Sequence, residues 1–274
     1  MAMEDVTRYM DAIDKAGQGG GILVCRYCGT RNRSAYDHAI CIRCEQFVDS
    51  TMNMLEAKDP SLLKSLENID AALDNRDYES AIKEYDSIFS QRKDPGFLYA
   101  EALIYIAYSN YETSLIDYDK EGYMEENSVH RLDSIRLMSQ AKLLLNKTVY
   151  ALNSNAGEGD TPNKRYLTFL SQVKLGQLRG AMMNFSALDK PESNELHSYA
   201  GMVFHSANDD IDKALELSTT MIKSGKNVLN AAYYYAFCLF RKNKLKDSAR
   251  ILNRLRQYLD NPNIGELAKK LGII

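Results

Sequence analysis

The sequence lacks the long apolar run, of about 18 residues or more, that a membrane-spanning helix needs. It also has no tryptophan and only five prolines and four histidines in 274 residues. The N-terminus MAMEDVTRYMDAIDKA carries acidic residues where a signal peptide would carry a basic region followed by an apolar run. We therefore predict a cytoplasmic protein without a membrane partner.

Signatures of catalysis are equally scarce. The histidines are scattered along the chain, at positions 38, 130, 197 and 205, and no glycine-rich phosphate-binding loop follows a strand. No serine or cysteine stands in the sequence context of an activated nucleophile. We predict that the protein is not an enzyme and has no small-molecule substrate.

Four of the five cysteines form two C-x2-C pairs, separated by twelve residues. In a chain without an export signal, close cysteine pairs favour metal binding over a disulfide framework. Each pair can direct two thiolates to one point, so the two pairs together predict a tetrahedral zinc site. The predicted ligands are Cys25, Cys28, Cys41 and Cys44. The fifth cysteine, Cys238, lies in the apolar run AAYYYAFCLF and is predicted to be a core residue.

The segment ILVCRYCGTRNRSAYDHAICIRCEQF resembles the zinc-ribbon family, whose pattern is C-x2-C-G-T-x-N followed by a second C-x2-C. The pattern is also matched by Gly29, Thr30 and Asn32. Four thiolate ligands leave no open coordination position, so the zinc would be structural. The alternatives are iron in the same site, or a redox dithiol, which would normally place one C-x2-C pair at a helix N-terminus.

From Pro60 onward, apolar residues recur at three- and four-residue intervals, which predicts helices. A small residue also recurs at intervals of 33, 67, 33 and 34, at positions 81, 114, 181, 214 and 248. This spacing resembles the 34-residue tetratricopeptide repeat (TPR). The predicted fold is mainly α, a TPR-like antiparallel helical-hairpin solenoid with a small N-terminal four-cysteine zinc ribbon. The predicted organisation is a short amphipathic helix (1–16), a glycine-rich joint (17–21), the ribbon (22–48) and the solenoid with a C-terminal capping helix (49–274).

Two sets of residues are candidates for partner binding through the helices. The first is a tyrosine column at equivalent repeat positions, Tyr99, Tyr166, Tyr199 and Tyr233. In the TPR family this neighbourhood borders the groove where peptides lie, so the column either contacts a peptide or packs between helices. The N-terminal helix has the same two alternatives: it binds a partner, or it covers the exposed end of the helical stack.

Basic residues form the second set. Residues 241–256 carry seven bases and one acid, although residues 49–126 carry 18 acids and seven bases. An anionic partner is predicted to contact the stripe Lys246, Arg250 and Arg254. In the ribbon, RNA would contact Arg26, Arg31, Arg33 and Arg43. The C-terminal stripe and the ribbon arginines are each also compatible with an ordinary solvated surface.

The sequence thus predicts a non-catalytic adaptor that holds a structural Zn²⁺ and binds a protein partner. Binding of RNA or a ribonucleoprotein is the alternative, and thiol redox regulation is a third possibility.

Overall fold

The computed structural model describes residues 3–49, 59–92, 94–116, 124–154, 161–188, 194–258 and 262–273. In this part of the chain the fold is mainly helical, with 12 helices and two small two-stranded sheets. No helix among these residues is both long and apolar enough to cross a bilayer. The mainly α character predicted from the sequence is therefore confirmed.

The elements are as follows in chain order. The N-terminal part contains α1 (Met3–Gln18), β1 (Gly21–Val24), β2 (Arg31–Ser34), β3 (His38–Ile40) and β4 (Phe47–Asp49). The middle part contains α2 (Pro60–Asp74), α3 (Tyr78–Arg92), α4 (Pro95–Leu115) and α5 (Met124–Ser154). The C-terminal part contains α6 (Pro162–Lys174), α7 (Leu178–Ala187), α8 (Asn194–Ala207), α9 (Ile211–Ser224), α10 (Val228–Arg241), α11 (Leu245–Leu255) and α12 (Pro262–Lys270).

The described residues divide into two compact units. The first unit contains those within 1–26, 30–58 and 157–274, and the second contains those within 27–29 and 59–156. In each unit, consecutive helices pack against one another. In the first unit α6, α8 and α10 also contact in turn, as stacked helical hairpins would.

Four helical hairpins, α2–α3, α6–α7, α8–α9 and α10–α11, share one turn. In each, a residue in the left-handed region ends the first helix, at Arg76, Gly176, Asp209 and Asn243. The next residue donates its backbone N–H to the carbonyl five positions earlier, as in Asp77 to Ala72 (2.8 Å) and Asp210 to His205 (2.9 Å). This 6→1 bond is typical of a Schellman ending. The same turn therefore repeats along the chain, with intervals of 33 and 34 between the last three copies.

The recurrent small residues have a place in these hairpins. Each is the fourth residue of the second helix and is fully buried, at Ala81, Ala181, Ala214 and Ser248. Ser114, which shares their spacing, is different: it is exposed near the C-terminus of α4. That part of the repeat prediction is wrong, because α4 and α5 are long helices of 21 and 31 residues instead of another hairpin of the common size.

In the first unit, helix α1 packs on α10 and α11. The Tyr9 and Tyr235 rings meet edge to face at 4.8 Å, and Asp14 accepts hydrogen bonds from Arg254 and Tyr258. Helix α1 thus covers a surface formed by α10 and α11. This arrangement corresponds to the predicted alternative in which the N-terminal helix covers the helical stack. The glycine-rich joint is shorter than predicted, because α1 continues to Gln18 and β1 begins at Gly21.

Candidate metal centre

The ribbon consists of two antiparallel hairpins, β1–β2 and β3–β4, and one cysteine pair lies in the loop of each. We call residues 25–30 the first knuckle and residues 41–46 the second knuckle. The backbone N–H of Cys25 donates to the carbonyl of Thr30 (2.9 Å), and that of Cys41 donates to the carbonyl of Gln46 (2.8 Å). Both loops therefore close with the same hydrogen bond, five residues apart.

The residue after each second cysteine has a positive φ, which allows the chain to turn sharply around the two sulfurs. In the first knuckle this residue is Gly29 (φ +75°). A Cβ there would lie 2.2 Å from the carbonyl oxygen of Leu66, so the position also excludes a side chain. In the second knuckle the residue is Glu45 (φ +59°), for which this conformation costs about 1 kcal/mol or more.

The four sulfurs converge. All four Sγ atoms lie within 4.8 Å of one another, and those of Cys25 and Cys44 are 3.6 Å apart. Each cysteine is at most 2% exposed. Tetrahedral coordination with metal–sulfur bonds of about 2.3 Å would place the sulfurs about 3.8 Å apart. The cysteines predicted as ligands are therefore brought together in a geometry that could hold a metal ion.

Asn32 links the two knuckles and is 1% exposed. Its side-chain carbonyl accepts from the backbone N–H of Ile42 (2.8 Å), while its amide donates to the carbonyl of Thr30 (2.8 Å). The amide nitrogen also lies 3.8 Å from the sulfur of Cys41. A donor near a thiolate disperses its negative charge, as outer-shell partners of metal ligands do. Asn32 was recognised in the sequence only as part of the motif, without this role.

In the second unit, Tyr27 contacts α3 and α4. The hydroxyl of Tyr85 donates to the carbonyl of Tyr27 (2.5 Å), and the Tyr27 ring meets that of Phe97 at 5.3 Å. Gly96 lies under the same ring, where a Cβ would be 2.2 Å from a ring carbon. These contacts hold Tyr27 within the second unit.

In the first unit, Glu45 anchors the second knuckle to the helices. It is 6% exposed, and its Oε1 accepts from the hydroxyl of Tyr234 (2.9 Å) while its backbone carbonyl accepts from that of Tyr166 (2.7 Å). Lys174 Nζ lies 3.1 Å from its other carboxylate oxygen. The buried carboxylate thus has a compensating positive charge and a neutral donor, as a buried charge requires. Backbone strain of this kind persists where surrounding contacts compensate it.

Two asparagines add to this anchor: Asn227, just before α10, and Asn230, within it. The side-chain carbonyl of Asn227 accepts from the backbone N–H of Ile40 (2.8 Å), and the amide of Asn230 donates to the carbonyl of Cys41 (3.4 Å). The same amide lies 3.3 Å from the hydroxyl of Tyr199. The backbone around Cys41 is therefore held by side chains about 190 positions away in the sequence.

His38 forms a third attachment, between two carboxylates. Its Nδ1 lies 2.7 Å from Asp37 and its Nε2 lies 2.9 Å from Glu195 of α8. Partial burial lowers the pKa of this histidine, but hydrogen bonds to both carboxylates raise it more, so its pKa lies above the usual value of 6.5. The protonated form donates to both neighbours at once.

The structure places the predicted tyrosine column inside the protein. Tyr99, Tyr166 and Tyr199 are at most 1% exposed; in the first unit the hydroxyl of Tyr166 donates to Glu45 of the second knuckle, and that of Tyr199 lies beside Asn230. Tyr233 is half-buried, and its neighbour Tyr234 makes the contacts with Glu45 and with the Tyr199 ring. A peptide could therefore reach Tyr166 and Tyr199 only if the ribbon moved, and the partner-binding role of the column stays a prediction.

The predicted basic residues have mixed surroundings. The ribbon arginines Arg26, Arg31 and Arg33 are exposed, whereas Arg43 is half-buried. In the C-terminal stripe, Lys246 and Arg250 are exposed, but Arg254 binds Asp14 of α1. Ion pairs to Asp209 and Asp212 also engage Arg241 and Lys242. Much of the C-terminal positive charge is thus neutralised within the chain.

Cys238 does not resemble a reactive thiol. It is fully buried on α10, and burial raises its pKa to about 12. A thiol that remains protonated at neutral pH is a poor nucleophile and a poor redox sensor.

No protein-family model, no curated protein and no solved structure matches this chain. The resemblances to zinc ribbons and to TPR proteins therefore rest on the cysteine motif and on the helical period alone.

Proposed function

We propose that this chain is a non-catalytic cytoplasmic adaptor, in which a TPR-like helical solenoid and a structural zinc ribbon together bind a protein partner. The solenoid is supported by four hairpins with the same turn and the same buried small residue. Such hairpins stack through their neighbours and expose long surfaces, which is why solenoids serve as binding scaffolds.

Zinc is the metal that suits the four cysteines best. Four buried sulfurs within 4.8 Å of one another favour zinc or iron, and zinc requires no redox partner. With four thiolates as ligands there is no coordination position for water or substrate. The metal would therefore build the ribbon and take no part in chemistry.

The observation that carries the proposal is the attachment of the second knuckle to the helices of the first unit. Glu45 makes three of these contacts, with Tyr166, Lys174 and Tyr234. A metal module attached in this way would brace the helices that it contacts. The partner would then bind to helix surfaces that the ribbon leaves exposed.

Affinity purification of the full chain tests the adaptor role. The protein is captured with and without RNase treatment, and its bound partners are identified. We expect a protein that remains bound in stoichiometric amount after RNase, and that is lost from a Cys41→Ser variant but retained by Cys238→Ser. A chain that captures no protein in either treatment contradicts the adaptor role.

RNA binding is a second candidate because Arg31 and Arg33 project from the same face of β2 and are both exposed, and Tyr36 nearby in sequence is 42% exposed. Charge beside an exposed aromatic ring is the combination that single-stranded RNA uses. The test is fluorescence anisotropy with labelled single-stranded RNA at rising salt. A steep salt dependence that Arg31→Ala with Arg33→Ala reduces would favour RNA, and salt-independent or absent binding would contradict it.

A further inference from the structure

Helix α5, in the second unit, is apolar on two opposite sides. Its buried side packs against α4, where Ser109 Oγ donates to the carbonyl of Ser134 (2.9 Å) and His130 Nδ1 lies 2.6 Å from Glu112. The buried apolar residues on this side are Leu137, Ala141, Leu144, Leu145 and Leu152. These contacts account for one side of the helix only.

The other side is exposed and also apolar. Five of the eleven large hydrophobic residues that are exposed in the described chain lie on this one helix. They are Val129 (57% exposed), Leu132 (67%), Ile135 (57%), Leu143 (48%) and Tyr150 (75%). We call this set the α5 stripe. Scattered single exposed hydrophobics are normal on protein surfaces, but a set on one helix marks an interaction surface.

Helical geometry places the α5 stripe opposite the buried side. At about 100° per residue, Leu132, Leu143 and Tyr150 fall within about 20° of one another, with Val129 and Ile135 on either side. From the first to the last residue the stripe is about 30 Å long. This length matches the contact between two long helices.

Basic residues lie on both sides of the line formed by Leu132, Leu143 and Tyr150. Arg131 and Lys142 form one row, beyond Ile135, and Arg136 and Lys147 form the other, beside Val129; all four are exposed. Arg136 pairs with Asp133 at 3.2 Å, and the charge of Lys147 acts on Glu101 of α4. The surface therefore presents an apolar centre between two rows of positive charge.

We propose that the α5 stripe docks an amphipathic helix of the partner protein, whose apolar face is bordered by aspartate and glutamate. Acidic borders would pair with the two basic rows, while leucine-like side chains would bury Leu132 and Leu143. This inference rests on the proposed adaptor function and names the partner's chemistry.

Two other occupants are disfavoured, one by the charges of this surface and one by its polar residues. A second copy of α5 would bring basic rows against basic rows, which is repulsive. A bilayer would have to accept Ser139 and Asn146, which are exposed polar residues on the same side of the helix as the stripe. A partner helix can instead hydrogen-bond to them.

The test uses the full chain and two synthetic helical peptides. Both carry leucines at alternating third and fourth positions, bordered by glutamates in the first peptide and by lysines in the second. We expect the glutamate peptide to bind with a Kd below about 100 µM, and the lysine peptide at least about tenfold more weakly. Leu132→Ser with Leu143→Ser should weaken glutamate-peptide binding by at least about tenfold.

A matched control is Leu245→Ser on α11, since Leu245 is 45% exposed but belongs to another helix. This variant should bind the peptide as the wild type does, and circular dichroism should show all variants folded. The proposal is overturned if the wild type does not bind the glutamate peptide. It is equally overturned if the double serine variant instead loses self-association in sedimentation, or loses binding to phosphatidylserine vesicles while keeping the peptide. These outcomes can be distinguished from a failure of the proposed adaptor role, because the affinity purification tests that role separately.

Discussion

Glu101 provides a sharp prediction about stability, because it is a carboxyl group buried within a helical unit. It lies on α4 and is 4% exposed. Burial raises its pKa from the ordinary 4.5 to about 7, with a further increase from Asp86 and a partial decrease from Lys147. The folded protein therefore retains a proton on Glu101 at pH values where the unfolded chain has released it.

The sign of the pH effect follows from this difference. Between pH 4.5 and 7 the folded state binds more protons than the unfolded state, so the free energy of unfolding falls as the pH rises. The full change in pKa corresponds to about 3.4 kcal/mol, of which about 2 kcal/mol is lost between pH 5.5 and 8. Glu101→Gln removes this cost because its amide is neutral at every pH.

The assay is urea unfolding followed by circular dichroism, at pH 5.5 and pH 8. Glu101→Gln should be more stable than the wild type at pH 8, and its advantage should shrink by about 2 kcal/mol at pH 5.5. Comparing both proteins at each pH cancels the effect of acid on metal binding. The control is Glu112→Gln, which replaces the carboxylate 2.6 Å from His130 with a weaker, neutral acceptor and should not be more stable than the wild type at pH 8. If the advantage of Glu101→Gln is the same at both pH values, the argument from its burial is wrong.

Three further predictions concern the ribbon. Asn32→Ala should lower the free energy of unfolding of the metal-loaded protein by about 2–3 kcal/mol, because it removes buried hydrogen bonds to both knuckles. As a control, Asn146→Ala on the surface should have little effect in the same urea experiment. Glu45→Gly should relieve about 1 kcal/mol of backbone strain but lose more in contacts with α6 and α10, so a net increase in thermal stability would refute its anchoring role. Because the pKa of His38 is raised, its contact with Glu195 should stabilise the ribbon below about pH 6.5 and weaken as the pH rises through the higher pKa. The difference in free energy of unfolding between the wild type and His38→Gln should therefore shrink towards pH 8. A difference that is the same at every pH would contradict this.

Local patterns in the sequence predicted the local parts of this structure. The C-x2-C spacing led to the four converging cysteines, and the helical period led to the buried small residues of four hairpins. Both features depend on residues that lie close to one another in the sequence. The shared turn was less visible in the sequence, because three of its four left-handed residues are Arg76, Asp209 and Asn243, which carry no glycine signal.

The long-range contacts could not be predicted in the same way. Glu45 pairs with Tyr234 across 189 positions, and nothing near either residue identifies the other. The same limit applies to the tyrosine column. Tyr166, Tyr199 and Tyr233 each lie ten positions before the left-handed residue of their hairpin turn, as the repeat period predicts, but their burial depends on what packs against them. An acidic residue at a position that usually favours glycine was the one local signal for the anchor, because such strain persists only when surrounding contacts compensate it.

The central claim is that a zinc-filled ribbon braces the helices of the first unit. Its most direct test combines metal analysis with hydrogen exchange, before and after removal of the metal by a chelator. We predict about one zinc per chain, and faster exchange in α6, α8 and α10 once the zinc is removed, because the second knuckle contacts α6 and α10 and His38 of β3 contacts α8. A purified chain without bound zinc, or helices whose exchange is unchanged after its removal, would contradict the account.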